Sequence, residues 1–476
     1  MIRYILSILF ISIIFPQRDC LQESQTDALG RSTRPSKDTF AISPSEHFYI
    51  HYDLTGSSAP DLQDIDPLNG VPDYIDAVGI FADSARHVLV DMMGYDSEPS
   101  DGTEGGGEAK YDIYIAPYGV GSYGVCFSEG SGKSYLQISN DYSGYTSNFG
   151  QTPLEIMQIS LSHEYFHAIQ YGYQEHHGSG SGSDAYFYEM TSMWIEDIIV
   201  PDGNDYLEDT WVGILLDKPE GDFDNRWPQC STTVCDGEGY ELALFGHYLS
   251  RYVDPLGSVD GKQSTIMEKI WKEYSDQYIS SSNYDKPLEV IDRILQTEYQ
   301  SSFIEAWTDF ISRNLYNGIY QDMNNEFYYY IDQKLIDPIK TYYPESLEDS
   351  ISIALSLDNK SAAIQSYDLD EGGLLGFAHS SNGYVGRFSI VSTSDNSDLF
   401  WAPMDTSGMI INLNSEIHFV YGSENAMSVT IDIGYDKGCG IVNAGSVWPG
   451  NTNADGIVNF LDIDPIIRYW NQSTCR

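Results

Sequence analysis

The stretch from residue 152 to residue 173 is mostly apolar, and its pattern predicts a buried helix. Its apolar positions include Ile156, Ile159, Leu161, Phe166 and Ile169. Thr152 can cap the first amides, Pro153 suits the first helical position, and Glu155 completes a capping box, so the helix is expected to begin here. Gly172 predicts its end.

Shorter patterns predict strands before this helix and helices after it. The strands are expected at residues 47–54, 110–117 and 134–139, and a helix with 3.6-residue periodicity over 73–93. The helices expected after 173 cover 185–200, 240–253, 264–276 and roughly 286–332, and Asp184 is expected to cap the first of them. From residue 341 to 437, short apolar runs alternate with polar turns, which predicts a small β-sandwich.

The first 45 residues differ from the rest of the chain. One arginine precedes about a dozen apolar residues over 4–15, the length of a signal-peptide core and too short to span a bilayer. Residues 1–19 are therefore predicted to be a signal peptide, and the protein to be secreted with no membrane span. Residues 20–45 are polar and are expected to form a loose mature N-terminus or a propeptide.

Composition limits the classes of function. The chain of 476 residues carries 71 acidic and 24 basic residues, a net charge of −47. This argues against nucleic acid as a partner, because its phosphates are bound by lysine and arginine. The acidic excess is expected to act partly as a solvated surface and partly as a source of calcium ligands. Disulfides are suggested between Cys230 and Cys235 and between Cys439 and Cys475.

The central helix carries the candidate chemistry. His163, Glu164 and His167 form an H-E-x-x-H motif, in which the two histidines lie on one helix face and can chelate a single Zn²⁺. Glu164 is turned about 100° from His163, near the metal without binding it. A zinc site of this type needs a third protein ligand and an open position for water.

The third ligand is expected on the next helix. The three-histidine arrangement that continues with glycine and histidine is excluded, because Gln170 and Tyr173 occupy those positions. Glu189 and Glu196 share one stripe of the following helix, and both are candidates. We favour Glu189 as the ligand, with Glu196 supporting the ligands from behind, and Glu196 as the ligand is the alternative.

The motif of residues 163–167, followed by that of 189–196, resembles the gluzincin zinc peptidases, and the pattern over residues 45–330 looks like a group of secreted bacterial metalloproteases of that clan. The resemblance implies an α+β fold with a two-lobed zinc peptidase domain over 46–338, its N-terminal lobe β-rich and its C-terminal lobe helical. It also implies that Glu164 is the general base. Tyr240 is the candidate oxyanion donor and His247 a weaker one.

The substrate is expected to be a protein or peptide. The segment that binds a free N-terminus in the related aminopeptidases has no counterpart here, so an endopeptidase is the better expectation. The alternative is a non-enzymatic, calcium-stabilised surface or adhesion protein on a peptidase scaffold, and the intact Glu164 argues against it.

The last segment, residues 445–476, resembles a single dockerin-type calcium loop. Six residues offer oxygen ligands for Ca²⁺ at the expected spacing: Asn451, Asn453, Asp455, Ile457, Asn459 and Asp462. The resemblance implies a cohesin-like or cell-surface anchor as a partner, although a dockerin normally has two such loops. A second loop, with Asp64, Asp66, Asn69 and Asp73, is either a calcium loop or a polar turn with a helix cap.

Overall fold

The computed structural model describes residues 21–23, 33–105, 109–118, 123–145, 149–173, 184–207, 215–216, 219–224, 239–278, 280, 283–318, 321, 328–337, 339, 345–346, 350–368, 373–381, 386–392, 400–403, 408–412 and 416–436. These residues form a mixed α and β structure, as the pattern predicted at this coarse level. None of the helices in these ranges is long and apolar enough to cross a membrane.

Six strands form the first sheet. They are β1 (Leu21–Glu23), β2 (Thr39–Ile42), β3 (Phe48–Tyr52), β4 (Tyr111–Ala116), β5 (Gly124–Gly130) and β6 (Lys133–Ser139). Their order is β1-β5-β6-β4-β3-β2, with β5–β6 and β3–β2 antiparallel and the other pairs parallel. The predictions of β3, β4 and β6 are confirmed. Strands β1, β2 and β5 were not predicted.

Seven α-helices in the described ranges accompany the sheets. They are α1 (Asp73–Arg86), α2 (Pro153–Tyr173), α3 (Ala185–Ile199), α4 (Ala243–Tyr248), α5 (Ile266–Asp276), α6 (Pro287–Glu298) and α7 (Phe303–Arg313). The helix predicted over 240–253 consists of a 3₁₀ turn at Tyr240–Leu242, α4, and a π-helical turn at Leu249–Val253. Within the helical region predicted over 286–332, the described residues form α6, α7 and a 3₁₀ turn at Asn314–Tyr316.

Helix α2 lies against the sheet through β5 and β6 and against α1 and α3. The predicted capping box is confirmed: the Thr152 amide donates to Glu155 at 2.6 Å, and the Glu155 amide donates to the Thr152 hydroxyl at 3.3 Å. Gly172 does not end the helix, which continues to Tyr173. A Cβ at Gly172 would lie 2.9 Å from Cδ of Pro99, so glycine is needed there for packing.

Helix α3 begins after Asp184, but this side chain does not cap it. Its carboxylate accepts hydrogen bonds from the Tyr284 hydroxyl at 2.6 Å, the Tyr274 hydroxyl at 2.9 Å and the Lys286 ammonium at 3.1 Å. The prediction of a capping aspartate is therefore wrong. One group from α5 and two from the segment before α6 bind this carboxylate in place of the local amides, and they attach the start of α3 to the helical region.

The segment after residue 33 is held to the sheet by a buried ion network, contrary to the expected loose N-terminus. The Arg34 guanidinium lies 2.6 Å from Asp101 and also pairs with Asp112 on β4 and Glu129 on β5. Strand β2 then pairs with β3 in register. A long-range ion network of this kind leaves no periodic signal in a sequence.

The described residues between 345 and 436 form two further sheets. One has the order β13-β10-β15-β8 and the other β12-β11-β14-β9-β7, where the strands are β7 (Glu345–Ser346), β8 (Ser350–Leu357), β9 (Ser361–Asp368), β10 (Gly373–Ser381), β11 (Gly386–Ser392), β12 (Phe400–Pro403), β13 (Gly408–Asn412), β14 (Glu416–Ser423) and β15 (Met427–Asp436). All pairs are antiparallel except β7–β9. The strand-rich character of this region is confirmed.

The five-stranded sheet packs against α7. A Cβ at Gly422 would lie 2.0 Å from the Thr308 hydroxyl, so the backbone of β14 is in direct contact with α7 there. Ala362 N also donates to the carbonyl of Pro219 at 3.0 Å. Buried Ala362 and Val420 belong to the same hydrophobic core as the helices. The sheet is therefore joined to the helical region by packing as well as by chain connection.

Several predicted features lie outside the described residues. These are the signal peptide, the calcium loop of residues 451–462, and Cys20, Cys230, Cys235, Cys439 and Cys475. Cys126 is buried on β5. In the loop of residues 64–73, Asp64 accepts from the amides of Asn69 and Gly70, and Asp73 accepts from those of Ile65 and Asp66. These bonds order the loop, and calcium binding by it stays a prediction.

Candidate metal centre

Helices α2 and α3 bring three buried side chains to one point. His163 Nε2 lies 3.0 Å from His167 Nε2. Glu189 Oε2 lies 3.2 Å from the first of these nitrogens and 3.6 Å from the second. Among the residues that the structure describes, this is the one group of histidine, cysteine and carboxylate side chains able to hold a metal ion. The three ligands predicted from the sequence are therefore adjacent in space.

The spacing of these atoms fits a small tetrahedral ion. Two ligand atoms, each about 2.1 Å from a zinc ion and separated by a tetrahedral angle, lie roughly 3.4 Å apart. The observed separations of 3.0, 3.2 and 3.6 Å lie on both sides of this value. One ion could therefore contact all three atoms with only small side-chain movements.

His163 is oriented from behind by Glu196. Its Nδ1 lies 2.7 Å from Oε1 of Glu196, which is also buried. A carboxylate at Nδ1 favours the tautomer that carries its proton there and leaves the lone pair of Nε2 for a metal. Glu196, the alternative third ligand, thus contacts Nδ1 of His163, whereas Glu189 faces Nε2 of the same ring.

His167 is oriented by Gln170 and Ser192. Its Nδ1 lies 2.7 Å from Oε1 of Gln170 and 3.2 Å from the Ser192 hydroxyl. The Gln170 amide nitrogen donates in turn to the Tyr188 carbonyl and to the Thr191 hydroxyl, which fixes the orientation of the amide. This supporting role was not predicted from the sequence. The spacing of three residues between His167 and Gln170 was the signal, since such residues are neighbours on a helix.

The electrostatics of the centre favour a cation. When Glu196 and Gln170 accept the Nδ1 protons, two imidazole lone pairs and one carboxylate oxygen face each other in a buried space. Such groups repel unless a positive charge lies between them. Burial raises the pKa of the Glu189 carboxyl, but His167 and His163 supply such a positive charge when they are protonated, and this outweighs burial and lowers the pKa to about 2.

The side chain of Glu164 extends from α2 toward β5, and the residue is buried. A Cβ at Gly124, the first residue of β5, would lie 3.0 Å from Cγ of Glu164 and 3.2 Å from the Gln137 carbonyl. The strand can therefore approach the motif this closely only because residue 124 is glycine. Gly124 was not predicted to be a site residue, because an isolated glycine in a strand that was not predicted gives little signal.

Tyr240 also lies at the centre. Its ring centroid is 6.1 Å from that of His163, with the ring planes 76° apart, and the residue is buried. Gly239 precedes it with φ of +98°, and a Cβ there would lie 2.1 Å from the Tyr186 carbonyl. This left-handed glycine lets the chain pass close to the start of α3 and deliver Tyr240 to the histidines.

His247 occupies a different environment from Tyr240. Its ring stacks on Tyr330 at a centroid distance of 5.0 Å, and its Nε2 lies 3.7 Å from Asp197. Burial lowers the pKa of His247 well below its ordinary value. These contacts give it a place in the helical core, and they do not support its expected secondary role as an oxyanion donor.

Comparisons with known proteins add little to this geometry. No family model matches the chain, and no curated protein does. Among solved structures, the chain is similar to the Yersinia pseudotuberculosis-derived mitogen, with 8% identity and a TM-score of 0.17 over 18% of this chain and 86% of the mitogen. It is also similar to Aeromonas hydrophila PliG, a periplasmic inhibitor of g-type lysozyme, with 6% identity and a TM-score of 0.18 over 20% of this chain and 94% of PliG.

Proposed function

We propose that this protein is a zinc-dependent peptidase that hydrolyses internal peptide bonds of proteins or peptides. The observation that carries the proposal is the convergence of His163 Nε2, His167 Nε2 and Glu189 Oε2 within 3.0 to 3.6 Å of one another. Each imidazole has a buried partner at its other nitrogen, the arrangement that prepares a histidine for metal binding.

His163, His167 and Glu189 would hold the zinc ion. When bound, the zinc supplies Lewis acidity, which lowers the pKa of a water molecule to about 7 and polarises a substrate carbonyl. Two nitrogen ligands and one oxygen ligand are the set found in catalytic zinc sites that keep a fourth position open.

Glu164 acts as the general base in this proposal. Its carboxylate takes a proton from the attacking water and passes it to the nitrogen of the leaving amine. Tyr240, whose ring lies against that of His163, donates its hydroxyl proton in a hydrogen bond to the oxyanion of the tetrahedral intermediate. The close contact between Gly124 and Glu164 limits the carboxylate's freedom and keeps it at the motif.

The order of the elements supports the gluzincin-type layout. A strand-rich part precedes α2 in the chain and helices α3 to α7 follow it, and α2 contacts β5 and β6 as well as α3. We further propose that the protein is secreted and that residues 451–462 bind calcium and serve a surface anchor. These two proposals rest on the sequence patterns of the terminal segments.

The test combines metal analysis with one conservative substitution. Wild type and Glu164→Gln are both expected to bind about one zinc per chain, because Glu164 is not a ligand. Wild type is expected to cleave casein or a peptide library, and Glu164→Gln to lose at least about 100-fold in rate because the base is absent. The double variant H163A/H167A should bind no zinc. A wild type without zinc, or equal cleavage by wild type and Glu164→Gln, would overturn the proposal.

A further inference from the structure

The start of β9 borders a segment that precedes α4 in the chain, residues 219–224. The Ala362 amide donates to the Pro219 carbonyl at 3.0 Å, and the Phe223 amide donates to the Lys360 carbonyl at 3.2 Å. The chain order is reversed between the two pairs, so the segment lies antiparallel to the start of the strand. Strand β7 pairs with the other end of β9. Backbone hydrogen bonds therefore fix this segment to the five-stranded sheet.

Phe223 carries this connection into the helical core. The residue is buried, and its ring centroid lies 5.4 Å from that of Phe245 on α4. The same ring lies 5.0 Å from each of the rings of Phe303 and Trp307 on α7, in edge-to-face geometry. A residue whose backbone is bound to the sheet thus packs its ring against two helices.

Helix α7 forms a second connection between the sheet and Phe245. Gly422 on β14 lies so close to this helix that a Cβ there would be 2.0 Å from the Thr308 hydroxyl. The rings of Trp307 and Phe310 on the same helix each lie 5.3 Å from the ring of Phe245. One helix therefore contacts the sheet at Thr308 and contacts α4 through its neighbouring aromatic residues.

Both connections end on α4, close to Tyr240. The 3₁₀ turn that begins at Tyr240 continues directly into α4, so the turn and the helix move together. The Tyr248 hydroxyl, at the end of α4, donates to the Asp309 carboxylate of α7 at 2.7 Å and adds a polar contact between these helices. The positions of α7 and Phe223 thus determine where α4 lies, and α4 determines where Tyr240 lies.

We propose that the five-stranded sheet is a supporting part of the catalytic unit, which positions Tyr240 as the oxyanion donor through α7 and Phe223. The inference rests on the proposed peptidase function and on the role given there to Tyr240. It gives the C-terminal strands a task in catalysis. It also makes Gly422, Thr308 and Phe223 positioning residues, which act on the reaction only through Tyr240.

A hydrogen-bond donor to an oxyanion has little positional freedom. It must lie about 2.7–3.1 Å from the oxygen that becomes charged, and a displacement of about 1 Å is enough to lower a rate about 100-fold. The path from α7 to α4 consists of buried aromatic rings in contact, and close-packed interiors transmit small displacements. A shift of α7 against the sheet is therefore expected to lower kcat and to leave zinc binding unchanged.

The experiment uses the full chain and two substitutions that compensate each other. In Gly422→Ala, the added methyl group would lie 2.0 Å from the Thr308 hydroxyl, so α7 and β14 must move apart. Thr308→Ala removes that hydroxyl, and the double variant G422A/T308A carries the same added methyl group without this clash. The double variant is therefore the matched control. Hydrolysis of a quenched fluorescent peptide, zinc content and melting temperature are measured for wild type and each variant.

Gly422→Ala is expected to lower kcat per bound zinc about 10- to 100-fold with little change in KM. The double variant should recover most of the lost kcat. Tyr240→Phe is then added to wild type and to Gly422→Ala. Its effect on kcat should be at least about tenfold smaller in Gly422→Ala, because the donor that it removes is already displaced. A sheet that only stabilised the fold would leave the effect of Tyr240→Phe equal in both proteins.

A second variant reaches Tyr240 by the other connection. Phe223→Leu shortens the side chain that contacts Phe245 and leaves the backbone hydrogen bonds of residue 223 in place. It is expected to lower kcat and to reduce the effect of Tyr240→Phe in the same way. This variant decides the question if Gly422→Ala does not fold.

The remaining outcomes separate the inference from the proposed function. An equal effect of Tyr240→Phe with and without the sheet variants, or no effect of Tyr240→Phe on wild type, would overturn the inference and leave the peptidase standing. The inference also fails if the sheet variants keep the kcat of wild type. If wild type contains zinc and hydrolyses no peptide, the proposed function fails and this inference fails with it.

Discussion

Glu189 and Glu196, two turns apart on α3, contact opposite nitrogens of the same imidazole. Glu189 Oε2 lies 3.2 Å from Nε2 of His163, and Glu196 Oε1 lies 2.7 Å from its Nδ1. One helix face therefore supplies both a candidate ligand and the group that orients another ligand. From the sequence, the seven-residue spacing left both glutamates open as the third ligand. In the structure, the same spacing places Glu189 at the candidate metal position and Glu196 behind His163.

This division predicts different effects for the two glutamates. Glu189→Gln is expected to abolish stoichiometric zinc binding, because an anionic ligand is lost. Glu196→Gln should weaken zinc binding by about 10- to 100-fold, since it changes only a partner of a ligand. Zinc affinity is measured by competition with a chromophoric chelator. Glu298→Gln, at an exposed position paired with Lys269, is the control and should bind zinc as wild type does. A larger loss in Glu196→Gln than in Glu189→Gln would reverse the assignment.

Tyr240→Phe is expected to lower kcat by about 100- to 1,000-fold and to leave zinc binding intact, because only the oxyanion donor is removed. The control is Tyr95→Phe. The Tyr95 hydroxyl is buried and has no hydrogen-bond partner among the described residues, so its loss should change neither kcat nor stability. The measurement is steady-state kinetics on the peptide substrate. Full activity of Tyr240→Phe would show that another group stabilises the oxyanion.

Gly124→Ala tests the contact between β5 and the base. The added methyl group would lie 3.0 Å from Cγ of Glu164, so the carboxylate must shift. A displacement of this size is expected to lower kcat by about 10- to 100-fold. Zinc content should not change, because no ligand is touched. An unaltered kcat with unaltered stability would mean that Glu164 tolerates the shift and is not positioned by this strand.

His418 on β14 predicts a pH dependence of stability in the C-terminal sheet. Its Nδ1 lies 2.7 Å from the Ser366 hydroxyl, and burial lowers its pKa to about 4. The folded state thus disfavours the protonated ring, and stability that is fully present above pH 6.5 is lost as the pH falls toward 4. Between pH 7 and pH 5 the loss should be about 2 kcal/mol.

The check is urea unfolding of wild type and His418→Gln at both pH values. Gln can keep a hydrogen bond to Ser366 and does not titrate. The variant should therefore lack this part of the pH dependence, whatever its stability at pH 7. An equal loss of unfolding free energy in both proteins on acidification would exclude His418 as the source.

Local signals allowed much of the centre to be predicted from the sequence. The capping box at Thr152, the two histidines and the glutamates of α3 all depend on contacts within a helix or on helical spacing, which a sequence displays directly. Strands β1, β2 and β5 depend on partners far along the chain. Their own residues carry weak alternation, and so neither their positions nor the closeness of Gly124 to Glu164 could be inferred.

The same physical distinction explains the errors at polar residues. Asp184 was expected to cap α3 because aspartate before a helix often does, but a lysine and two tyrosines that are distant in sequence bind it instead. Arg34 lies in a segment with the composition of a loose tail, and three acidic residues from the sheet region bury it. The conformational preference of a short segment is overridden where several partners distant in sequence form hydrogen bonds to a charged group at once.

The first sheet takes both of its outer strands, β1 and β2, from the first 42 residues and its interior from residues up to Ser139. During synthesis on the ribosome, the borders of this sheet would emerge well before its centre. The early chain must then wait, without a partner for β1, until β5 has been made. We expect such a delay to leave the early strands open to association with other chains, and the assembly of this region to be sensitive to the timing of translation.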